Sequence, residues 1–343
     1  MIKLVLSLLA INIFINCASA PISNSNANEE ILKKYEKREK DYKAKKKEDK
    51  NNEILYAVAV GDSWFDYPAP NRKDVIDYMI AGEFKTNEKK IFDYQIISVA
   101  KAGVKLEDMF LRVDFLKEIK EDKPNIFLLS GGGNDLLSPD FLESIILWDK
   151  DNKSDNPEDY INKNILNSKL ENLEWWIGKV ISTLETARID IKYEKPIPTF
   201  MHGYSYIITD ENHPCSYKWL RKLHGKKCEW VRPVLVGKDA REKPQNPDKL
   251  YSGIARYIIQ RYNELLLKIQ EKNKGKFYYV DLRKESGKWE GEGVGNKLEN
   301  WDDEIHLEPN EYKKIANAFH ATILQALAGK GSNRNQSNVK KAN

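Results

Sequence analysis

Apolar and polar positions follow two rhythms along this chain. Five short runs are almost continuously apolar: ILYAVAV (Ile54 to Val60), YQIISVA (Tyr94 to Ala100), NIFLLS (Asn125 to Ser130), PIPTFMH (Pro196 to His202) and KFYYVDL (Lys276 to Leu282). A run without alternation is the pattern of a strand covered on both faces. Elsewhere apolar residues recur at helical spacing. Leu106, Met109, Phe110, Val113 and Leu116 share one face, as do Leu166, Leu170, Leu173, Ile177, Val180, Ile181 and Leu184. Ile254, Ile258, Tyr262, Leu265 and Ile269 form a third stripe, and Tyr312, Ile315, Phe319, Ile323 and Leu327 a fourth. Strands alternating with amphipathic helices predict a three-layer α/β/α sandwich around a parallel sheet of about five strands. Functional side chains in such sheets gather just beyond the carboxyl ends of the strands.

Four stretches fall outside this rhythm. Residues 21–53 are densely charged in both signs with almost no apolar stripe, and are expected as a solvated tether. Trp148 to Tyr160 is a polar surface excursion. Residues 209–247 carry Pro, Gly, Trp and two cysteines, and are expected as an insertion or cap beside the site. The tail, residues 329–343, is expected to be disordered. The domain itself is expected over residues 54–328.

The N-terminus changes the picture of where the chain works. Met1-Ile2-Lys3 is a short basic start, Leu4 to Ile15 is apolar apart from Ser7 and Asn12, and small residues follow to Ala20. Residues 1–20 therefore read as an export signal, with an apolar core too short to span a bilayer stably. Two cleavage sites compete. Ala18-Ser19-Ala20 fits the small-x-small pattern, but Pro21 would follow the cut. Ile13 to Cys17 resembles a loose bacterial lipobox, which would make Cys17 the lipidated first residue and an anchor to a membrane. Both place the protein in the bacterial envelope or outside it. With Cys17 modified, Cys215 and Cys228 remain as a pair in an exported chain. A disulfide between them would contribute about 3 kcal/mol in the chain-entropy model. The net charge of +4 over 343 residues, with signs alternating, predicts no nucleic-acid partner.

Candidate chemistry sits at four turns. GDSW, AKAG (Ala100 to Gly103) and SGGGNDLL (Ser130 to Leu137) follow the first three apolar runs, and WDDEIHL (Trp301 to Leu307) precedes the last helical stripe. A serine hydroxyl is a poor nucleophile until a base takes its proton. Ser63 is the candidate nucleophile and His306 the candidate base. A carboxylate accepting from Nδ1–H would fix the tautomer that turns Nε2 toward Ser63. By spacing alone either Asp302 or Asp303 could supply it.

Taken together these blocks resemble the SGNH (GDSL-type) hydrolase family, over the stretch from Ile54 to Leu327. The phrases VGDSWFDYP, SGGGNDLL and HGY (His202 to Tyr204) are similar to a bacterial exported esterase-like subgroup. The resemblance implies a serine ester hydrolase with no metal or cofactor. It assigns the acid to Asp303, through the family's Asp-x-x-His. It also implies an oxyanion hole of the Ser63 and Gly103 backbone N–H groups and the Asn134 side-chain amide. The second block lacks the Asn that commonly precedes its Gly, and Ser205 stands where the subgroup has Asp. Trp64 and His202 are candidates for the substrate pocket. Asp62 and Asp135 are expected to brace their loops. The implied substrate is a small-molecule, lipid or acylated-polysaccharide ester. Two other functions compete: a metallophosphoesterase, faintly echoed by GDSWFD and GGND, and a non-catalytic envelope lipoprotein that uses the fold for binding.

Overall fold

The five apolar runs form five strands, β1 (Ile54–Val60), β2 (Asp93–Ser98), β3 (Ile126–Leu129), β4 (Thr199–His202) and β5 (Phe277–Val280). They were located in a computed structural model that describes residues 25–48, 54–67, 72–82, 93–112, 114–147, 154–212, 229–238, 246–283, 294–295 and 297–339. The strands make one sheet in the order β2-β1-β3-β4-β5, with every neighbouring pair parallel. All four residues of β3 and all four of β4 are buried, as continuous apolar runs require. β4 begins later than its apolar run because Pro196 and Pro198 have no N–H to give to a ladder.

Helices cover both faces. On one, α2 (Val75–Ala81) packs against α10 (Pro309–Val339). On the other lie α3 (Leu106–Arg112), α4 (Asp114–Asp122), α7 (Lys163–Asp190) and α9 (Pro247–Lys272). Two short helices, α5 (Gly133–Leu136) and α6 (Pro139–Ile145), follow β3. The stripe expected as one helix from Leu106 to Leu116 is split between α3 and α4. The chain winds outward from β1 to β2, then crosses back to β3. Adjacent strands whose connections leave in opposite directions open a crevice at their carboxyl ends, and here that crevice lies between β1 and β3.

Three expectations need correction or restriction. The charged segment expected as a tether is a docked helix, α1 (Ser25–Glu48). Its inward stripe is three basic residues and one tyrosine, repeating every four residues through Lys34, Arg38, Tyr42 and Lys46. Lys34 and Arg38 pair with Asp74 and Asp77 at the start of α2. Tyr42 is buried against Tyr56, with ring centroids 5.7 Å apart, and Lys46 donates to the Asp122 carboxylate at 2.6 Å. The tail expected to be disordered is helical as far as Val339, because α10 is nucleated on its packed stripe and each further residue adds one hydrogen bond. Within the insertion, α8 (Arg232–Lys238) is a short helix. The export signal with Cys17, and Cys215 and Cys228, lie outside the described residues.

Candidate active site

Ser63 stands three residues past the end of β1. The turn that carries it is closed by the amides of Phe65 and Asp66, which donate to the Asp62 carbonyl at 3.1 and 3.0 Å. Asp62 braces it from inside. Its Oδ1 accepts from the Trp64 N–H (3.1 Å) and the Ser130 hydroxyl (2.7 Å), and its Oδ2 accepts from the Tyr204 hydroxyl. A carboxylate with three donors is satisfied where it is, which suits a brace better than an acid–base group.

The turns after β2 and β3 are tied to this one. The Lys101 N–H donates to the Gly61 carbonyl at 2.8 Å, and the Ala102 N–H to the Asp66 carboxylate at 3.1 Å. Burial pushes the Asp66 carboxyl up to about 7, against the opposing effect of that N–H. Gly103 follows with φ of 78°, a left-handed backbone that a side chain would strain. It is solvent-exposed, with open space where a Cβ would stand. From the third turn, Asn134 donates through Nδ2 to the Val104 carbonyl (3.0 Å), and Asp135 accepts from the Leu106 N–H (3.0 Å). Lys169 pairs with Asp135 at 3.1 Å. The loop bearing Gly103 is thus held from both neighbouring turns.

The fourth element comes from a loop. Trp301 and Leu307 bridge across it, and the Asp302 N–H donates to the His306 carbonyl at 2.8 Å. This bend turns Asp303 and His306 inward together. Asp303 Oδ1 accepts from the N–H groups of Ile305 (2.9 Å) and His306 (2.8 Å), while its Oδ2 lies 2.8 Å from His306 Nδ1. His306 Nε2 lies 2.9 Å from Ser63 Oγ. Of the two aspartates, Asp303 is the one that faces His306. Asp302 faces away, accepting from the Tyr67 hydroxyl at 2.6 Å and pairing with Arg72 at 2.9 Å.

The electrostatics follow from this pairing. Burial alone would raise the Asp303 pKa, but the charge and ring N–H of His306 and two backbone N–H groups bring it below the usual carboxylate value. For His306, burial opposes protonation and Asp303 more than offsets it, so the pKa lies above its ordinary 6.5.

The two proposed pocket residues are not on the surface of the site. Trp64 is 3% exposed and His202 fully buried, and their rings stack at 5.3 Å beneath the turn. Trp64 instead donates from Nε1 to the Ile305 carbonyl at 3.2 Å, joining the turn that carries Ser63 to the loop that carries His306. His202 approaches the Gly203 carbonyl with Nδ1 (2.5 Å) and Ser130 Oγ with Nε2 (2.7 Å). An apolar ring in a signature block looks the same in sequence whether it faces substrate or core.

Sequence reasoning missed Glu304, which lies between Asp303 and His306 in the chain and is fully buried. Its carboxylate accepts from the backbone N–H groups of Trp230, Val231 (2.7 Å) and Arg232 (2.9 Å). Burial pushes its pKa up to about 7, with those N–H groups pulling the other way. The run of three acids in WDDEIHL was the available signal. Nothing in it said that the third would grip the insertion.

Seryl hydroxyl, imidazole and carboxylate gathered beyond the carboxyl edge of an open parallel sheet mark the class as an α/β/α hydrolase. More particularly, the chain belongs to the GDSL-like lipase/acylhydrolase family, whose model matches residues 57–319, and it is a hydrolase of ester bonds. Among solved structures it is similar to an extracellular lipase from Streptomyces rimosus, at 11% identity and a TM-score of 0.41, covering 78% of this chain and 100% of that one. It is also similar to the psychrotrophic esterase EstA from Pseudoalteromonas sp., at 11% identity and a TM-score of 0.39, covering 80% and 98%. A third similarity is to a catalytic mutant of Axe2, an acetylxylan esterase from Geobacillus stearothermophilus, at 12% identity and a TM-score of 0.39, covering 78% and 94%. No curated protein sequence matches.

Proposed function

We propose that this protein cleaves acyl esters through an acyl-serine intermediate formed on Ser63. The observation that carries the reading is the unbroken contact chain from Asp303 to His306 (2.8 Å) to Ser63 (2.9 Å). Ser63 Oγ attacks the ester carbonyl while His306 Nε2 takes its proton. Asp303 holds the proton on Nδ1 and stabilises the imidazolium that forms. The same proton then passes to the departing alkoxide. Water, deprotonated by His306, releases the acyl group and restores Ser63.

The negative oxygen of each tetrahedral intermediate is met by the N–H groups of Ser63 and Gly103 and by the second amide hydrogen of Asn134. The contact with the Val104 carbonyl uses only the first hydrogen of that amide and leaves the second to donate. The substrate is a small-molecule, lipid or polysaccharide ester. The chain acts in the bacterial envelope, exported by its N-terminal segment and attached through lipid on Cys17, with Cys215 and Cys228 as a disulfide.

An alkyl fluorophosphonate tests the central step. Wild-type protein should lose esterase activity as one equivalent adds to Ser63, read by peptide mass. Ser63→Ala should keep the fold by circular dichroism but take no label and lose about 10⁶-fold in kcat. Undiminished turnover in that variant would sink the mechanism.

A further inference from the structure

The base loop holds one buried carboxylate that the proposed chemistry does not use. Glu304 lies between Asp303 and His306, yet it faces the insertion and takes three consecutive backbone N–H groups there. Three donors on one buried carboxylate fix a segment tightly, because withdrawing any of them strands a polar group away from water. The segment is fixed at its far side too, where Arg232 donates to Asp248 in the first turn of α9 at 2.7 Å. What these contacts place is Trp230. It is half-buried, and its ring meets that of His306 edge to face, with centroids 6.2 Å apart and planes at 82°.

We infer that Trp230 is the wall on which the alcohol part of the ester rests, and that Glu304 is the positioning residue that clamps it beside His306. This rests on the acyl-serine reading above. In acylation the Ser63 Oγ–carbon bond forms and the carbon–alkoxy oxygen bond breaks, and His306 passes the Ser63 proton to that oxygen. The alkoxy oxygen must therefore come within hydrogen-bonding reach of His306 Nε2. The carbonyl oxygen points the other way, to the turns carrying Gly103 and Asn134. Whatever is attached to the alkoxy oxygen then passes the neighbours of His306. Tyr67 is one neighbour, but it is buried and bonded to Asp302. Trp230, the other ring that meets His306 among the described residues, is partly open. An indole there favours alcohols that present a flat face or edge to it, an aryl ring or the C–H face of a pyranose, over small or charged ones.

The test holds the acyl group constant and varies the alcohol, so every ester gives the same acetyl-enzyme. kcat/KM, which reads acylation, is measured for phenyl acetate, an O-acetylated methyl pyranoside and methyl acetate. Trp230→Ala should lower it by roughly tenfold for an ester whose alcohol has such a face. Methyl acetate should stay within about twofold, since it makes no such contact. A loss on phenyl acetate alone identifies an aryl alcohol, and a loss on the pyranoside a sugar. Trp230→Phe should restore most of the loss, and Glu304→Gln should show the same selective pattern in weaker form, because an amide cannot accept all three N–H groups. An equal loss on all three esters, or none on any, would overturn the inference. Fluorophosphonate labelling of Ser63 should persist in Trp230→Ala. Failure of the wild type to take label would instead remove the nucleophile on which the inference stands.

Discussion

The candidate site has two halves built on different principles. Ser63, Gly103 and Asn134 sit on turns that leave three adjacent parallel strands, and those turns brace one another through Gly61, Asp66, Val104 and Asp135. Asp303 and His306 sit on a loop between β5 and α10. Within the described residues that loop is fixed to its surroundings by the side chains of Trp64, Tyr67 and Arg72 on one side and by backbone N–H groups of the insertion, which its own Glu304 accepts, on the other. Sheet register sets the first half, because strand spacing decides which turns can touch. The second has no such template, and its geometry depends on where a few carboxylates find donors. Asp303 and Glu304 show how much the donors matter. One faces an imidazole and has its pKa lowered, whereas burial pushes its neighbour up to about 7 against the pull of the backbone N–H groups that it accepts.

Breaking the loop half at its acid should have the larger effect. An asparagine at 303 can donate to His306 Nδ1, which leaves the proton on Nε2 and no base facing Ser63. Asp303→Asn should therefore lower kcat by about 10⁴-fold. The pH profile gives the sign independently. His306 must be neutral to act, and its pKa is raised above 6.5, so activity should fall as pH drops through a value above 6.5. In Asp303→Asn the residual activity should have its acid limb at lower pH, because the charge that raised the pKa is gone. An unmoved limb would mean that another group titrates there. Stability follows the same pairing. A depressed Asp303 pKa stabilises the fold above the unfolded value of 3.8, and this contribution is lost as pH falls through the folded value. The raised His306 pKa stabilises it below 6.5, and this is lost as pH rises through the folded value.

Breaking the sheet half at one donor should cost less. Asn134→Ala should lower kcat by about 10²- to 10³-fold with KM little changed, since the oxyanion exists only along the reaction path. A change confined to KM would place Asn134 in ground-state binding instead.

The same division explains what could be read from the sequence. The five apolar runs gave the strands, and the helical stripes gave the layers, because burial on both faces of a sheet leaves a direct mark on residue type. The three turns carried short blocks whose family resemblance made Ser63, Gly103 and Asn134 candidates, and the sheet brings those turns together at the ends of adjacent strands. Asp303 and His306 were legible through their spacing, although spacing alone did not separate Asp303 from Asp302. What was not legible depended on long-range partners. α1 docks mainly through Lys and Arg that match acids on the domain, with Tyr42 as its one fully buried ring among the described side chains. Trp64 and His202 have the composition of a pocket and the burial of a floor. Glu304 differs from an ordinary surface acid only in what folds over it.

The smallest of these perturbations acts on the link between the halves. Trp64 belongs to the nucleophile turn, and its indole N–H donates to the Ile305 carbonyl, one residue before His306. Phenylalanine keeps an aromatic ring against His202, Tyr204 and Tyr312 but removes the donor. Trp64→Phe should lower stability by about 1 kcal/mol for that bond, plus the smaller volume of the ring. The informative quantity is kcat. If the base loop is held by Glu304 and Arg72 without help from the nucleophile turn, kcat should survive the loss of stability. If the two halves hold each other in place, kcat should fall by more than the lost folded fraction explains, while fluorophosphonate still reaches Ser63. Because Asp303 accepts from the Ile305 and His306 amides on the same bend, release of the Ile305 carbonyl loosens the peptide that orients the base. The second outcome is the one expected, with kcat reduced by a few-fold, far less than for Asp303→Asn.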